Sequence, residues 1–344
     1  MMQQRSAASI DGRRAGAGAV PFGQTATVKD VFYCFRLLLG RHPSAEEWRG
    51  HAARAGADLG GVVASFAQSL ECARRGLLDR DSLKEVVLTQ LADFRLFSTR
   101  DDAAVGDHVR GGDYEPNVTA VFRRFLRSGM HVIDIGANIG YFTMLAARLV
   151  GPKGSVLAVE PNPRNVRLLE ASRRENGFEH VGIMQVAAGR EPGLLVLNTS
   201  YSNGTTAPPP DTINAVLAAE TVPCVKIDTL LPAGGQIDFI KIDVEGAEYN
   251  ALLGCQETIR RSRPIIVSEF SPGLMSGISG IDGEGYLRWL MEQGYGLAVI
   301  QVDGSIEPAG KDPLLILREY AARGLDHVDL VALADDKHAH GPRS

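Results

Sequence analysis

At 344 residues with 44% hydrophobic content, the chain is long enough for one large domain and a small one around a sizeable core. A formal net charge of −5 and a pI near 5.9 leave no basic footprint for nucleic acid or an anionic membrane. Cys34, Cys72, Cys224 and Cys255 are widely separated, with neither C-x-x-C spacing nor a His partner pattern, so reduced core thiols are expected rather than zinc or disulfides.

Residues 1–24 are small and polar and are read as a disordered tail. No apolar run reaches the roughly 18 residues a membrane span needs, and no signal-type apolar stretch opens the chain, so a cytoplasmic protein is expected. From residue 25 to 80 the period is helical. Val28, Val31, Phe32, Phe35, Leu38 and Leu39 share a face, Gly40 stops the helix, and Ser44 with Glu47 makes a capping box before Trp48. Val62, Val63, Phe66 and Leu70 continue the pattern. This small all-helical domain serves either as a cap packed on the rest or as a module for docking a protein partner or self-association. Ser82 with Glu85 makes a second box, predicting a linker helix at the start of a larger domain over 81–335.

The sharpest signal is HVIDIGANIGYFT at 131–143. An apolar strand runs into a turn at Gly136, Asn138 and Gly140, and a helical period follows at Phe142, Leu145, Ala146 and Leu149. Such a turn exposes backbone N–H groups at a helix N-terminus and suits one end of a nucleotide-like cofactor. The spacing is not the G-x-G-x-x-G of dinucleotide sites, which counts against a nicotinamide oxidoreductase. Twenty residues past Gly140 a second strand ends in Glu160, placed to accept hydrogen bonds from both ribose hydroxyls of an adenosine.

A helix from Pro163 to Asn176, a third strand near 182–186, a strand at 194–198 and a mobile loop over 200–211 come next. Then follow a strand at 222–227, expected near a sheet edge, and the core strand 237–243. Its period of two sets Phe239, Lys241 and Asp243 on one face and Ile240 and Ile242 on the other. A lysine inside a buried strand needs a partner, and Asp243 and Glu269, which ends the next strand, are the candidates. Both carboxylates stand at strand C-termini, where open α/β sheets bind ligands, although an ion pair with Lys241 would also account for them. Glu245 and Glu248 open the following helix, where the macrodipole alone favours acids. A helix over 283–293 and strands at 295–302 and 328–334 complete the core, and His338 and His340 fall in a tail over 336–344.

VIDIGANIGYFT, AVEPNP, DFIKIDVEGAE and RPIIVSEF, in that order, resemble the FkbM-type family of S-adenosylmethionine-dependent methyltransferases, over about residues 94–302. The resemblance implies a doubly wound, Rossmann-like class I methyltransferase sheet of about seven strands. FRLLLGRHPSAEEW resembles a small helical module of unknown function found beside glycan-building enzymes. What the resemblance implies for the site is that Gly136, Asn138 and Gly140 shape the pocket for the methionine end, with Asp134 orienting that end. Glu160 would hold the ribose, and Ala187 with Ala188 would make room for the adenine. Tyr114 and Glu115 would meet the sulfonium, or else only anchor a loop.

The expected reaction is methyl transfer to a hydroxyl oxygen. Asp243 would be the base, Glu269 its second, and Lys241 the group that tunes them. A divalent metal held by Asp243 and Glu269 would serve the same end. A sugar or glycan intermediate is the expected acceptor, with a polyketide or other small natural product, or a catalytically inactive cofactor-binding protein, as alternatives. Arg260, Arg261 and Arg263 would meet an acidic acceptor, or else simply form a solvated helix end.

Overall fold

The structure, a computed structural model, describes residues 24–75, 86–200 and 202–335. The chain divides into two compact units, Met1–Lys84 and Glu85–Ser344. The expected tails and the Ser82–Glu85 capping box lie outside the described residues.

In the first unit, α1 (Val28–Leu38), α2 (Ala45–Ala52), α3 (Leu59–Ala67) and α4 (Leu70–Arg75) surround a small core of Val31, Phe35, Val62, Phe66 and Cys72. The capping box ahead of α2 forms: the Ser44 N–H donates to Glu47 Oε2 at 2.8 Å and the Glu47 N–H to Ser44 Oγ at 3.2 Å. Arg41, just after Gly40, forks between Glu47 (2.7 Å) and Glu71 (2.6 Å), so it serves as a structural tie among these helices.

The second unit opens with a hairpin where a helix was predicted. β1 (Val86–Gln90) pairs antiparallel with β2 (Arg95–Thr99). Val86, Val87 and Thr89 are β-branched, and alternate exposure along β1 suits a strand with one covered face. α5 (Gly106–Gly111) and α6 (Pro116–Phe125) lead to the core: β3 (His131–Ile135), α7 (Tyr141–Val150), β4 (Ser155–Val159), α8 (Pro163–Asn176) and β5 (Val181–Met184). An excursion follows, made of β6 (Ala187–Ala188), β7 (Gly193–Ser200), β8 (Asn203–Ala207), α9 (Ile213–Ala218) and β9 (Thr221–Val225). The chain re-enters the core through β10 (Phe239–Ile242), α10 (Glu248–Leu253), α11 (Gln256–Ser262) and β11 (Ile265–Phe270). α12 (Pro272–Ile278), α13 (Gly283–Glu292), β12 (Tyr295–Ile300), β13 (Ile306–Gly310), α14 (Pro313–Arg323) and β14 (Val328–Ala334) complete it.

The main sheet has eight strands in the order β13-β12-β14-β11-β10-β3-β4-β5. The five from β11 to β5 are parallel, and β14 inserts antiparallel between β11 and β12. Relative to the expected seven, the extra strand is β13, which zips onto β12 at the edge. β9 is not at an edge of this sheet: it belongs to a second sheet, ordered β6-β9-β7-β8. Part of the predicted 200–211 loop is β8, where Thr205 and Thr206 extend the hairpin with β7.

Helices cover both faces of the parallel strands, so successive residues enter different cores. Ile133, Ile135, Ile240, Ile242 and Ile266 pack on one side, and Val132, Phe239, Val267 and Val331 on the other. The four cysteines are buried and unpaired. Among the described residues no helix is long and apolar enough to cross a membrane.

Candidate functional site

From β3 the chain winds outward through β4 and β5, whereas β10 and β11 extend the sheet the other way. The crevice at that reversal, beyond the strand C-termini, is where a doubly wound sheet takes a ligand. A cavity of about 600 Å³ lies there, within the usual range for small-molecule sites. Gly136, Asn138, Glu160, Ala187, Asp243 and Glu269 all line it, so the sequence-predicted residues from five separate segments converge.

The turn after β3 is built for close approach. Gly136 has φ +80°, and a Cβ there would stand 1.8 Å from the Asp243 carbonyl oxygen. Asn138 adopts φ 52°, its N–H donates to Glu160 Oε2 at 2.8 Å, and its side-chain amide donates to Asn203 Oδ1 of the β7–β8 hairpin at 3.1 Å. Gly140 is not among the cavity-lining residues, and its φ of +100° lets α7 start against Leu169. Of the four non-glycine residues with positive φ among the described residues, Glu115, Asn138 and Glu245 line the cavity; strain of this kind concentrates at functional sites.

Glu160 is 5% exposed, and its Oε1 accepts the Asn162 N–H at 2.9 Å. Burial pushes its carboxyl up to about 7 against the bonds from Asn162 and Asn138. Burial also raises Glu115, on the turn before α6, to about 7, with Lys241 opposing and Asp243 adding to the shift. Glu248 is buried too and rises to about 7, while its carboxylate closes the turn after β10 by accepting the Val244 and Gly246 N–H groups.

An acid whose folded-state pKa is raised contributes stability that is complete below its unfolded value, near 4.5, and is lost as pH rises through about 7. The ligand-free protein is therefore expected to be more stable near pH 5 than near pH 8, with Glu160 alone contributing on the order of 3 kcal/mol. Thermal melts of the wild type and Glu160→Gln across this range provide the check. The variant should show a flatter profile, and a wild-type melting temperature unchanged by pH would refute the reading.

Lys241 is 4% exposed, and its Nζ lies 2.9 Å from Asp243 Oδ2 and 4.9 Å from the centre of the Phe142 ring. Burial works against its charge, but Asp243, Asp134 and Glu115 together hold the ammonium above its ordinary range. Asp134, its cross-strand neighbour on β3, does not line the main cavity. It lines a separate space of about 10 Å³ with Lys241 and Asp243. Its Oδ2 accepts from Thr143 at 2.5 Å, and its Oδ1 has no hydrogen-bond partner.

Glu269 is not an ion-pair partner of Lys241 either. Its Oε1 accepts from Ser271 Oγ at 2.8 Å, and burial with the neighbouring Asp243 charge raises its carboxyl well above the ordinary range. Among the described residues no three His, Cys, Asp or Glu side chains are grouped to hold a metal, and the two expected ligands are engaged as just described. The arginines after β10 are structural: Arg260 pairs with Glu257 at 2.7 Å, Arg261 donates to the Gly235 carbonyl at 2.7 Å, and Arg263 caps the end of α13 through the Gly294 carbonyl at 2.5 Å.

Several lining residues went unread in the sequence. Ser202, Asn203 and Thr206 come from the excursion hairpin, and Asp326 and His327 from the approach to β14. Asp329 of β14 pairs with Glu269 across the sheet and accepts from the Asn117 amide at 3.0 Å. An aspartate in the apolar run VDLVALA was the available signal.

The methyltransferase FkbM domain family matches residues 134–297. Among curated proteins, a protein-L-isoaspartate O-methyltransferase of Triticum aestivum is 30% identical over 119 residues, 34% of this chain and 48% of the relative. A transmembrane O-methyltransferase of Homo sapiens is 33% identical over 70 residues, 20% of this chain and 24% of the relative. The chain thus spans about half the length of the first and a quarter of the second. A methyltransferase FkbM from Methylobacillus flagellatus KT superposes with a TM-score of 0.38 and 14% identity, covering 62% of this chain and 50% of that one. Aeropyrum pernix fibrillarin with bound S-adenosyl-L-methionine superposes at 0.38 with 15% identity, covering 72% and 99%. The doubly wound, mostly parallel sheet described above is itself Rossmann-like.

Proposed function

Because residues 134–297 are a methyltransferase FkbM domain, we propose that the chain transfers a methyl group from S-adenosylmethionine to a hydroxyl oxygen, the acceptor being a sugar or glycan intermediate. The cavity suits the donor: Gly136 leaves its floor bare of a Cβ, Glu160 presents a buried carboxylate, and the Asn162 amide nitrogen is buried there without a partner. When bound, S-adenosylmethionine supplies a methyl carbon already activated toward nucleophiles by the positive sulfur.

The single observation that carries the reading is the Lys241–Asp243 pair at 2.9 Å, whose Asp243 lines the same cavity as Glu160. The ion pair with Lys241 fixes Asp243 in place, where its carboxyl group can accept the proton of an otherwise weak hydroxyl nucleophile. Glu115 adds negative charge facing the cavity, which favours a cationic donor. The β7–β8 hairpin, tied down by Asn138 and by Asn165, whose amide donates to the Ser202 carbonyl at 2.7 Å, helps keep water out. The glycan acceptor rests on the likeness of residues 35–48 to modules that accompany glycan-building enzymes.

Asp243→Asn is expected to lower turnover on a hydroxyl acceptor by roughly 10²–10⁴-fold while leaving the donor bound. Calorimetry with S-adenosylmethionine together with methyl transfer to a panel of neutral sugars and glycolipid intermediates reads both. Near-normal turnover in the variant would remove Asp243 from the role of base.

A further inference from the structure

Glu160 and Asn162 between them leave one open acceptor and one open donor at the end of β4. A carboxylate offers about four lone-pair places, two on each oxygen. On Glu160 Oε1 both are taken, by the Asn162 N–H at 2.9 Å and by the side-chain amide of Asn165 at 3.4 Å. On Oε2 the Asn138 N–H takes one at 2.8 Å, and a single place remains. Glu160 therefore has room for one ligand hydroxyl, not two.

The open donor is the side-chain amide of Asn162. This residue is the N-cap of α8, and its Oδ1 accepts the Arg164 N–H at 2.9 Å. That bond settles which end of the amide is which, with the oxygen toward the helix and the nitrogen turned away from it. Nδ2, in a residue only 3% exposed, has no hydrogen-bond partner, and so is not bonded to Glu160 either. An unpaired buried donor is costly, and the space that Asn162 lines is the cavity itself. A ligand oxygen at that wall would satisfy it.

Resting on the S-adenosylmethionine reading, we propose that the two residues divide the ribose diol: Glu160 Oε2 accepts from one hydroxyl, and Asn162 Nδ2 donates to the oxygen of the other. A hydroxyl both donates and accepts, so the one that receives from Asn162 keeps its own proton to turn toward its neighbour. The hydrogen bonds then run in one direction, from Asn162 through the two hydroxyls to Glu160, and each strengthens the next. A lone hydroxyl leaves one protein group unpaired. The division thus makes the cavity selective for a ribonucleoside over either deoxy form, because a site built to bond a hydroxyl rejects the ligand that lacks it.

Calorimetry with the demethylated product of S-adenosylmethionine, and with its 2′-deoxy and 3′-deoxy forms, tests the division. The wild type should bind each deoxy form about 10–100-fold more weakly than the parent. Asn162→Ser and Asn162→Asp both keep a capping oxygen for α8 while removing the amide donor, so two separate variants carry the test. In each, loss of one hydroxyl should cost no more than about threefold further, while loss of the other keeps its full penalty. Glu160→Ala should show the reverse pattern. A capping role alone for Asn162 would weaken all three ligands by one common factor, and that result would overturn the proposal. Dependence of both residues on the same hydroxyl, or wild-type indifference to either deoxy form, would overturn it as well. Failure of the parent ligand to bind the wild type would instead bring down the cofactor reading, and this division with it.

Discussion

Gly136→Ala is expected to cost more than about 3 kcal/mol of stability and to abolish donor binding. Two effects combine at this position. An alanine at φ +80° is strained wherever it stands, and here its Cβ would come within 1.8 Å of the Asp243 carbonyl oxygen and 2.8 Å of its carbonyl carbon. Those atoms belong to the backbone where the chain leaves β10, so they cannot swing aside as a flexible side chain would. The Asp243 N–H donates to the Ile135 carbonyl at 3.0 Å, so separating the chains would strip a hydrogen bond and move the proposed base with it. Gly177→Ala separates the two effects: Gly177 has φ +67° at the end of α8, with nothing within 4 Å of its would-be Cβ. That control should lose only about 1 kcal/mol. Urea melts of both variants, with calorimetry on whatever folds, make the comparison. Equal losses would mean that the approach of β3 to β10 has slack, and that φ alone accounts for the glycine.

Where local pattern decides the structure, the sequence is readable. In 131–150 an apolar run, a glycine turn and a 3.6-residue period lie within one stretch, and β3 and α7 fall where expected. In β10 the period of two separates Phe239 and Lys241 from Ile240 and Ile242, and the two hydrophobic clusters divide the same way. The misreadings share a cause, which is that strand order is not local. Lys241 has Asp134 beside it because β3, more than a hundred residues away, is its neighbour, and Glu269 faces Asp329 because β14 inserts beside β11. No spacing along the chain carries either fact. Residues 86–90 were expected in a helix because a cap-like Ser–Glu pair precedes them; β1 forms because β2 is there to pair with it. Glu160 was placed by its position after β4, but the Asn138 and Asn162 N–H groups that fix it required the fold.

Lys241→Met should be the most damaging single change that leaves the shape of the core largely intact. Methionine keeps most of the apolar stem that lies against Phe142. What it removes is the one ammonium that offsets Asp243, Asp134 and Glu115, and removing one partner of a buried ion pair typically costs about 3–5 kcal/mol. Uncompensated carboxylates recover by taking up protons, so their folded-state values rise further above the unfolded ones. The loss should therefore be largest near pH 8 and shrink toward about pH 5, steepening the decline already expected of the wild type. Asp243→Asn in the Lys241→Met background should restore part of the stability near pH 8, because the two side chains are in contact and their effects do not add. Chemical denaturation of the single and double variants at both pH values measures the coupling. A loss independent of pH, with no recovery in the double variant, would show that the stem of Lys241 matters and its charge does not. The assignment of Asp243 as the base held in place by its pairing with Lys241 would then lose its physical basis.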